Sequence, residues 1–386
     1  MQRQVLVQHA HVVPGSGPEL PGTDVLCTDG VITAVGAGLA ARAAPGCEVI
    51  DATGLTVTAG FVDAHRHVWQ APLRGAGADM PMSRYFTEIL GAALSSLSAA
   101  DAGRATRLGA DAALNAGITT VFDYSNATLS PAHTDAVVDA FAGSGIRAVV
   151  GHGRFDADDV RRLAVRTGRV TGALAVLGPE YGDWDETVAQ LAFGRDLGMM
   201  VSAHVGGACV RRLHDAGLLG PDLQLVHLNA VTPEDAKLLA ASGTAVVVTP
   251  TVEAVMGHGA SAYERLADAG ARPAFGVDVV INNPPDLFEP LRDTLRTMRL
   301  RSGSASAPAA ADLLRAATLD GARAVGLADV IGTVEVGKRA DLLLLHGLGH
   351  LRGDRAGAVV SCLTALDVRT VLVDGHVVKR DGRLTT

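Results

Sequence analysis

Eight short apolar segments recur through the middle of the chain: TAGFVDAH (58–65), ITTVFDY (118–124), IRAVVGHG (146–153), GALAVLGP (172–179), MMVSAHVG (199–206), LQLVHLN (223–229), AVVVTPT (245–251) and RPAFGVDVV (272–280). Each is almost continuously hydrophobic, so each must be covered on both faces, as the strands of a parallel sheet are. Stretches able to form helices lie between them, among them AADAGRATRLGADAALNAG (99–117) and DETVAQLAFGRDLG (185–198). Eight strands alternating with helices predict an α/β fold, a (β/α)8 TIM barrel. An open doubly wound sheet is the competing architecture, but no GxGxxG follows the first strand.

Both chain ends have a different texture. VLVQHAHVV (5–13), DVLCTDGVITAVG (24–36) and CEVIDATGLTVTA (47–59) are β-branched or alternating, and so are GTVEVGKRADLLLLHG (332–347) and VRTVLVDGHVVKRDGRL (368–384). Turn signals such as TDG and VDG punctuate them. The two ends are expected to pair into one small β-sandwich domain, residues 1–58 plus 333–386, with residues 59–332 forming the barrel.

Composition narrows the function. Over 386 residues the formal charge is -8, with no basic stripe, which argues against nucleic-acid binding. Cys27, Cys47, Cys209 and Cys362 are scattered, the pattern of reduced thiols. No window approaches the roughly 18 apolar residues of a membrane span, and the N-terminal MQRQVLVQHAHVV lacks a cationic start and long apolar core. A cytoplasmic protein acting on a small molecule, with no nucleic-acid or membrane partner, is the expectation.

In a barrel, reactive groups sit at the C-terminal ends of the strands. His65 and His67 end the first strand, His204 the fifth and His227 the sixth, and Asp278 ends the eighth. Period-two alternation turns His65 and His67 inward together and Arg66 away. Four imidazoles and a carboxylate would then converge, a set suited to a divalent ion, most simply zinc, with iron or manganese compatible. Any one of these histidines alone would be read as a hydrogen-bonded core residue, and His152 and His258 are read in that way here.

GFVDAHRH, SAHV, LVHL and GVD resemble the metal motifs of the amidohydrolase superfamily, and the end segments resemble its flanking β-sandwich. HVWQAPLRG and GVDVVINNPPDLFEPLR are closest to its cytosine deaminase and chlorohydrolase-like branch. The resemblance implies that His65, His67, His204 and Asp278 bind one divalent metal, with His227 beside the metal-bound water. Strand 4 has no lysine to bridge a second ion. Such an ion lowers the pKa of its water from 15.7 to about 7; Asp278 and His227 would then be catalytic, one moving protons and the other orienting the hydroxide or steadying the oxyanion. The implied reaction is hydrolysis of a carbon–nitrogen bond in a cyclic amide, an amidine or an aminated heterocycle. A deaminase with a substitute acid, or a non-hydrolytic lyase or cyclase, are the alternatives. Proteins of this kind commonly form homo-oligomers, which leaves that state open.

The chain departs from the branch at one position. Deaminases of the branch carry a glutamate three residues after the strand-5 histidine; here HVGG puts Gly207 there. General acid–base help is typically worth about 10²–10⁴-fold. Glu180 and Glu253 are the candidate substitutes, with Asp278 acting alone as the other solution, and Gly206 and Gly207 are expected to leave room for a larger substrate. Trp69, Gln70, Glu180, Glu253 and Asn282 are the candidate substrate contacts, and Asp123 and Tyr124 are placed near the pocket.

Overall fold

A computed structural model describes residues 2–385. Eight parallel strands form one sheet in sequential order: Phe61–Arg66, Ile118–Ser125, Arg147–His152, Val170–Val176, Val201–Val205, Leu223–His227, Ala245–Val248 and Ala274–Phe275, here called barrel strands 1 to 8. The sheet closes through a parallel bridge between Arg66 and Asp278. There the Asp278 amide donates to the His65 carbonyl at 2.9 Å, and the Asp278 carbonyl accepts from the His67 amide at 2.9 Å. The ring is therefore a (β/α)8 barrel, its seam stitched beside two of the strand-end histidines.

Helices capped by short polar side chains cover the barrel. Ala99–Asn115 begins in a capping box between Ser98 and Asp101, and Trp184–Asp196 begins with Asp183 accepting from the Glu186 amide. The acids of YGDWDE thus open a helix. Barrel strand 8 is shorter than its apolar run suggests, because Pro273 offers no donor and the chain leaves sheet geometry at Gly276.

The chain ends build a second, nine-stranded sheet. Gln4–Val13 lies at its centre, antiparallel to Leu20–Thr28 and parallel to Thr56–Ala59, and Leu342–Leu345 joins the C-terminal strands to the latter. The TVEV portion of the C-terminal segment makes no strand; Val334 packs into the core of the sheet and donates its amide to the Pro14 carbonyl, and an Arg339–Val31 bridge follows. This sheet docks under the barrel. The Gly60 amide donates to the Asp341 carbonyl, and Arg147, the first residue of barrel strand 3, forms a bidentate pair with Asp341 at 2.8 and 3.1 Å. Both contacts involve the N-terminal ends of barrel strands, so the opposite rim stays clear. Among the described residues no helix is long and apolar enough to cross a membrane.

Candidate metal centre

The five strand-end residues meet. His65 Nε2 lies 3.2 Å from His204 Nε2 and 3.5 Å from Asp278 Oδ1, and His67 Nε2 lies 3.4 Å from the same oxygen. The His227 ring stacks on that of His204 with centroids 5.4 Å apart. Potential ligand atoms of His65, His204 and His227, and likewise of His65, His67 and Asp278, all lie within 4.8 Å of one another.

Hydrogen-bond logic shows what this cluster wants. His67 Nδ1 faces the Tyr124 carbonyl at 3.1 Å, and a carbonyl can only accept, so Nδ1 carries the hydrogen. Nε2 then presents a lone pair to the Asp278 carboxylate, acceptor against acceptor. Burial pushes His65 down to about 4 and also lowers His67 and His204, leaving neutral imidazoles near pH 7. Burial would raise Asp278, but the surrounding imidazoles, His65 foremost, outweigh it and hold the carboxyl far below the usual range. Inward lone pairs around one carboxylate form a donor set that fits a divalent cation, with His67 held from behind by the Tyr124 carbonyl and His227 by the Thr249 hydroxyl.

The backbone is bent to this purpose. His227 and Asp278 both adopt left-handed conformations, with φ of 78° and 63°. Such non-glycine geometry costs about 1–3 kcal/mol and survives only where surroundings over-determine it. For Asp278 the two seam hydrogen bonds do so. Asp278 lies past the end of barrel strand 8, and it is the left-handed turn that brings its carboxylate to the histidines.

The other sequence candidates separate in space. Trp69, on the short helix Val68–Leu73, is buried; it borders a groove with Pro72, Leu97 and Leu108 and donates to Asn126 Oδ1 at 3.2 Å. Gln70 is fully buried, donating to the Tyr85 hydroxyl at 2.7 Å while its Oε1 has no partner. Asn282 keeps both amide atoms buried without partners, and the following helix is instead capped by Asp286. Tyr124 packs its ring 4.3 Å from that of His204. His152 bonds Asp159 at 3.0 Å, as its core reading expects, whereas His258 is half-buried and packs edge-on to His227 with centroids 6.0 Å apart.

Glu180 is a latch. Its carboxylate accepts from the amides of Gly206 (2.5 Å), Gly207 (3.1 Å) and Cys209 (2.7 Å), tying the loop after barrel strand 4 to the loop after strand 5. Glu253 is no solvated loop acid: it is 0% exposed, and its Oε1 lies 3.6 Å from His227 Nδ1. Nor do the two glycines leave open space. A Cβ on Gly207 would meet the Val231 amide nitrogen at 2.6 Å, and one on Gly206 would meet Glu180 Oε2 at 3.0 Å.

Three supporting groups escape the strand-end rule. Asp63 accepts from the Val277 amide at 2.9 Å and sits 3.5 Å from Arg66; Gln224 donates to the carbonyls of Ala64 and Ala324; Thr249 touches His227 Nδ1 at 3.0 Å. The signal for the first two was a polar residue inside an apolar run, as in GFVDAH and LQLVH.

The chain matches the profile of the Amidohydrolase family over residues 56–378. It is 29% identical to a 5-methylthioadenosine/S-adenosylhomocysteine deaminase of Desulforudis audaxviator, with 99% of this chain and 95% of that protein covered. A protein of the same name from Halobacterium salinarum is 32% identical, covering 87% and 84% respectively. A zinc-bound adenosine deaminase from Xanthomonas campestris superposes with a TM-score of 0.87 at 26% identity, covering 99% of this chain and 94% of that one. An atrazine chlorohydrolase from Arthrobacter aurescens shares the fold, with a TM-score of 0.85 at 22% identity and 99% and 96% coverage. Profile, relatives and strand-end architecture agree: the chain belongs to the amidohydrolase family and is a hydrolase acting on carbon–nitrogen bonds other than peptide bonds.

Proposed function

We propose that the chain removes an amino group hydrolytically from a small aminated heterocycle, using one zinc ion held by His65, His67, His204 and Asp278. The observation that carries this reading is the set of inward imidazole nitrogens around Asp278 Oδ1, at 3.5 Å from His65 and 3.4 Å from His67. The ion, when bound, supplies a Lewis acid and an acidified water. Asp278 takes the proton of the attacking water and passes it toward the leaving nitrogen. His227, its ring fixed over His204 and its Nδ1 facing the Thr249 hydroxyl, orients the attacking water by accepting one of its hydrogens at Nε2. Gln70 Oε1 and the Asn282 amide are buried and unpaired, which suits them to a ring bearing N–H donors and acceptors.

Relatives named for deamination of 5-methylthioadenosine, S-adenosylhomocysteine and 5'-deoxyadenosine support adenine nucleosides as the first substrates to try. Proton transfer by Asp278 alone follows from Gly207 and from the occupied oxygens of Glu180. That same economy also supports a second reading, hydrolysis of a cyclic amide, whose leaving nitrogen stays tethered to the product.

The test is a zinc-loaded preparation assayed for ammonia from those adenine nucleosides and for ring opening of cyclic amides. Ammonia release from the nucleosides bears out the first reading; ring opening without ammonia transfers the assignment to the second. His65→Ala and Asp278→Ala should each lower bound zinc and cut turnover by at least about 10³-fold, in line with the loss of activated water. Full turnover in either variant refutes the ligand set.

A further inference from the structure

Glu253 lies in the helix Pro250–Val255, directly after barrel strand 7, and is completely enclosed. Its Oε1 accepts from the Thr249 amide at 2.9 Å and from the Thr249 hydroxyl at 3.3 Å, while Oε2 is buried with no partner among the described residues. A carboxylate held in the interior with one oxygen unsatisfied is expensive, and no arginine or lysine among the described residues pairs with it. The charge-bearing side chain beside it is His227.

The hydrogens can be traced one by one. The Thr249 hydroxyl has a single hydrogen and directs it to Glu253, so its oxygen accepts from His227 Nδ1 at 3.0 Å. That assigns the imidazole hydrogen to Nδ1 and turns Nε2 toward His65 and His204. The ring is further constrained by its stacking on His204 and by the left-handed backbone at His227 and Leu228. Without the carboxylate, the hydroxyl could rotate and donate to Nδ1, which would place the imidazole hydrogen on Nε2 instead.

We propose that Glu253, acting through Thr249, is a positioning residue that sets the tautomer and ring orientation of His227. The kinetic part of this inference rests on the proposed hydrolytic role of His227; the tautomer part does not. Carboxylate support behind a site imidazole is typically worth about 10–100-fold in activity or metal affinity.

The experiment uses the full-length, zinc-loaded chain labelled with ¹⁵N-histidine. Long-range ¹H–¹⁵N spectra, assigned with His227→Gln, report which ring nitrogen carries the hydrogen. In the wild type Nδ1 should be the protonated nitrogen of His227. Glu253→Leu and Thr249→Val should shift His227 toward the other tautomer and lower kcat about 10–100-fold, with KM changed less than about threefold. Glu253→Gln, whose amide oxygen can still accept from the hydroxyl, should retain Nδ1–H and most of kcat. Folding is checked by thermal midpoint, and Thr249→Val, close to isosteric, guards against a collapsed Glu253→Leu variant. An unchanged tautomer in both disruptive variants overturns the proposal. If no assayed substrate is turned over by the wild type, the functional reading fails, and the spectra alone still decide whether Glu253 positions His227.

Discussion

Asp123 is enclosed between the first two barrel strands, and one of its oxygens finds a donor in the Val68 amide at 3.0 Å. The other has none among the described residues. Burial pushes its carboxyl up to about 7, against the Val68 hydrogen bond and the Arg66 charge that pull it down. The folded chain therefore keeps a proton on Asp123 that the unfolded chain gives up in the ordinary carboxylate range. Stability from this group is present at low pH and is lost as the pH rises toward 7. Asp123→Asn cannot titrate, so its stability relative to wild type should grow by about 1–4 kcal/mol from pH 4 to pH 7, measured by denaturant unfolding. A constant difference across that range would mean Asp123 is already ionised in the fold. At this scale the sequence is legible only where chemistry and position coincide: His65, His67, His204 and His227 stand out because strand ends point at the mouth. Asp123 and Glu253 are picked out by position alone, because a one-dimensional pattern does not show which of their buried oxygens go unpaired.

Among the loops, the turn after barrel strand 5 shows how neighbouring backbone can occupy the space beside a glycine. Gly207 has φ of 118°, and the backbone of Ala230 and Val231 fills the place of its missing Cβ. Glu180 reaches across from the strand-4 loop and fastens the turn through three amides. Gly207→Glu should therefore fail to speed ammonia release and should destabilise the chain by at least about 1–3 kcal/mol of backbone strain, read from the thermal midpoint. A faster enzyme with unchanged stability would show that the turn can still host an acid. The eight barrel elements are legible as apolar runs, since burial on both faces leaves no other composition. The length of barrel strand 8 is not, because the left-handed turn at Asp278 rests on its contacts with His65 and His67 across the seam as well as on Pro273 and Gly276 of its own run. The room expected at Gly206 and Gly207 is occupied by Val231 and Glu180, because a glycine records only the absence of a side chain and the fold decides which neighbour fills the space.

In the whole molecule, the second sheet braces the barrel through shared apolar packing, with Leu343 and Val368 in one cluster with Phe61 and Ile118, and through a few buried polar contacts. Arg147 and Asp341 are both buried and meet through two hydrogen bonds, with Asp374 3.5 Å away. Removing one partner strands the other charge in the interior, so Arg147→Met should cost about 3–5 kcal/mol and lower the thermal midpoint, while the zinc content of the folded fraction is retained. Loss of zinc without loss of stability would contradict the separation of brace and site. The pairing of the two chain ends is legible from their shared strand-and-turn texture, whereas the docking face is not: Arg147 and Asp341 lie 194 positions apart. The seam between barrel strands 8 and 1 adds a last consequence. The hoop is joined there by a short stretch of backbone, and the side chains proposed to grip the ion stand on both banks of that joint, His65 and His67 on one and Asp278 on the other. A cation lodged between them would act as a rivet, and charging the proposed site would then also fasten the vessel that houses it.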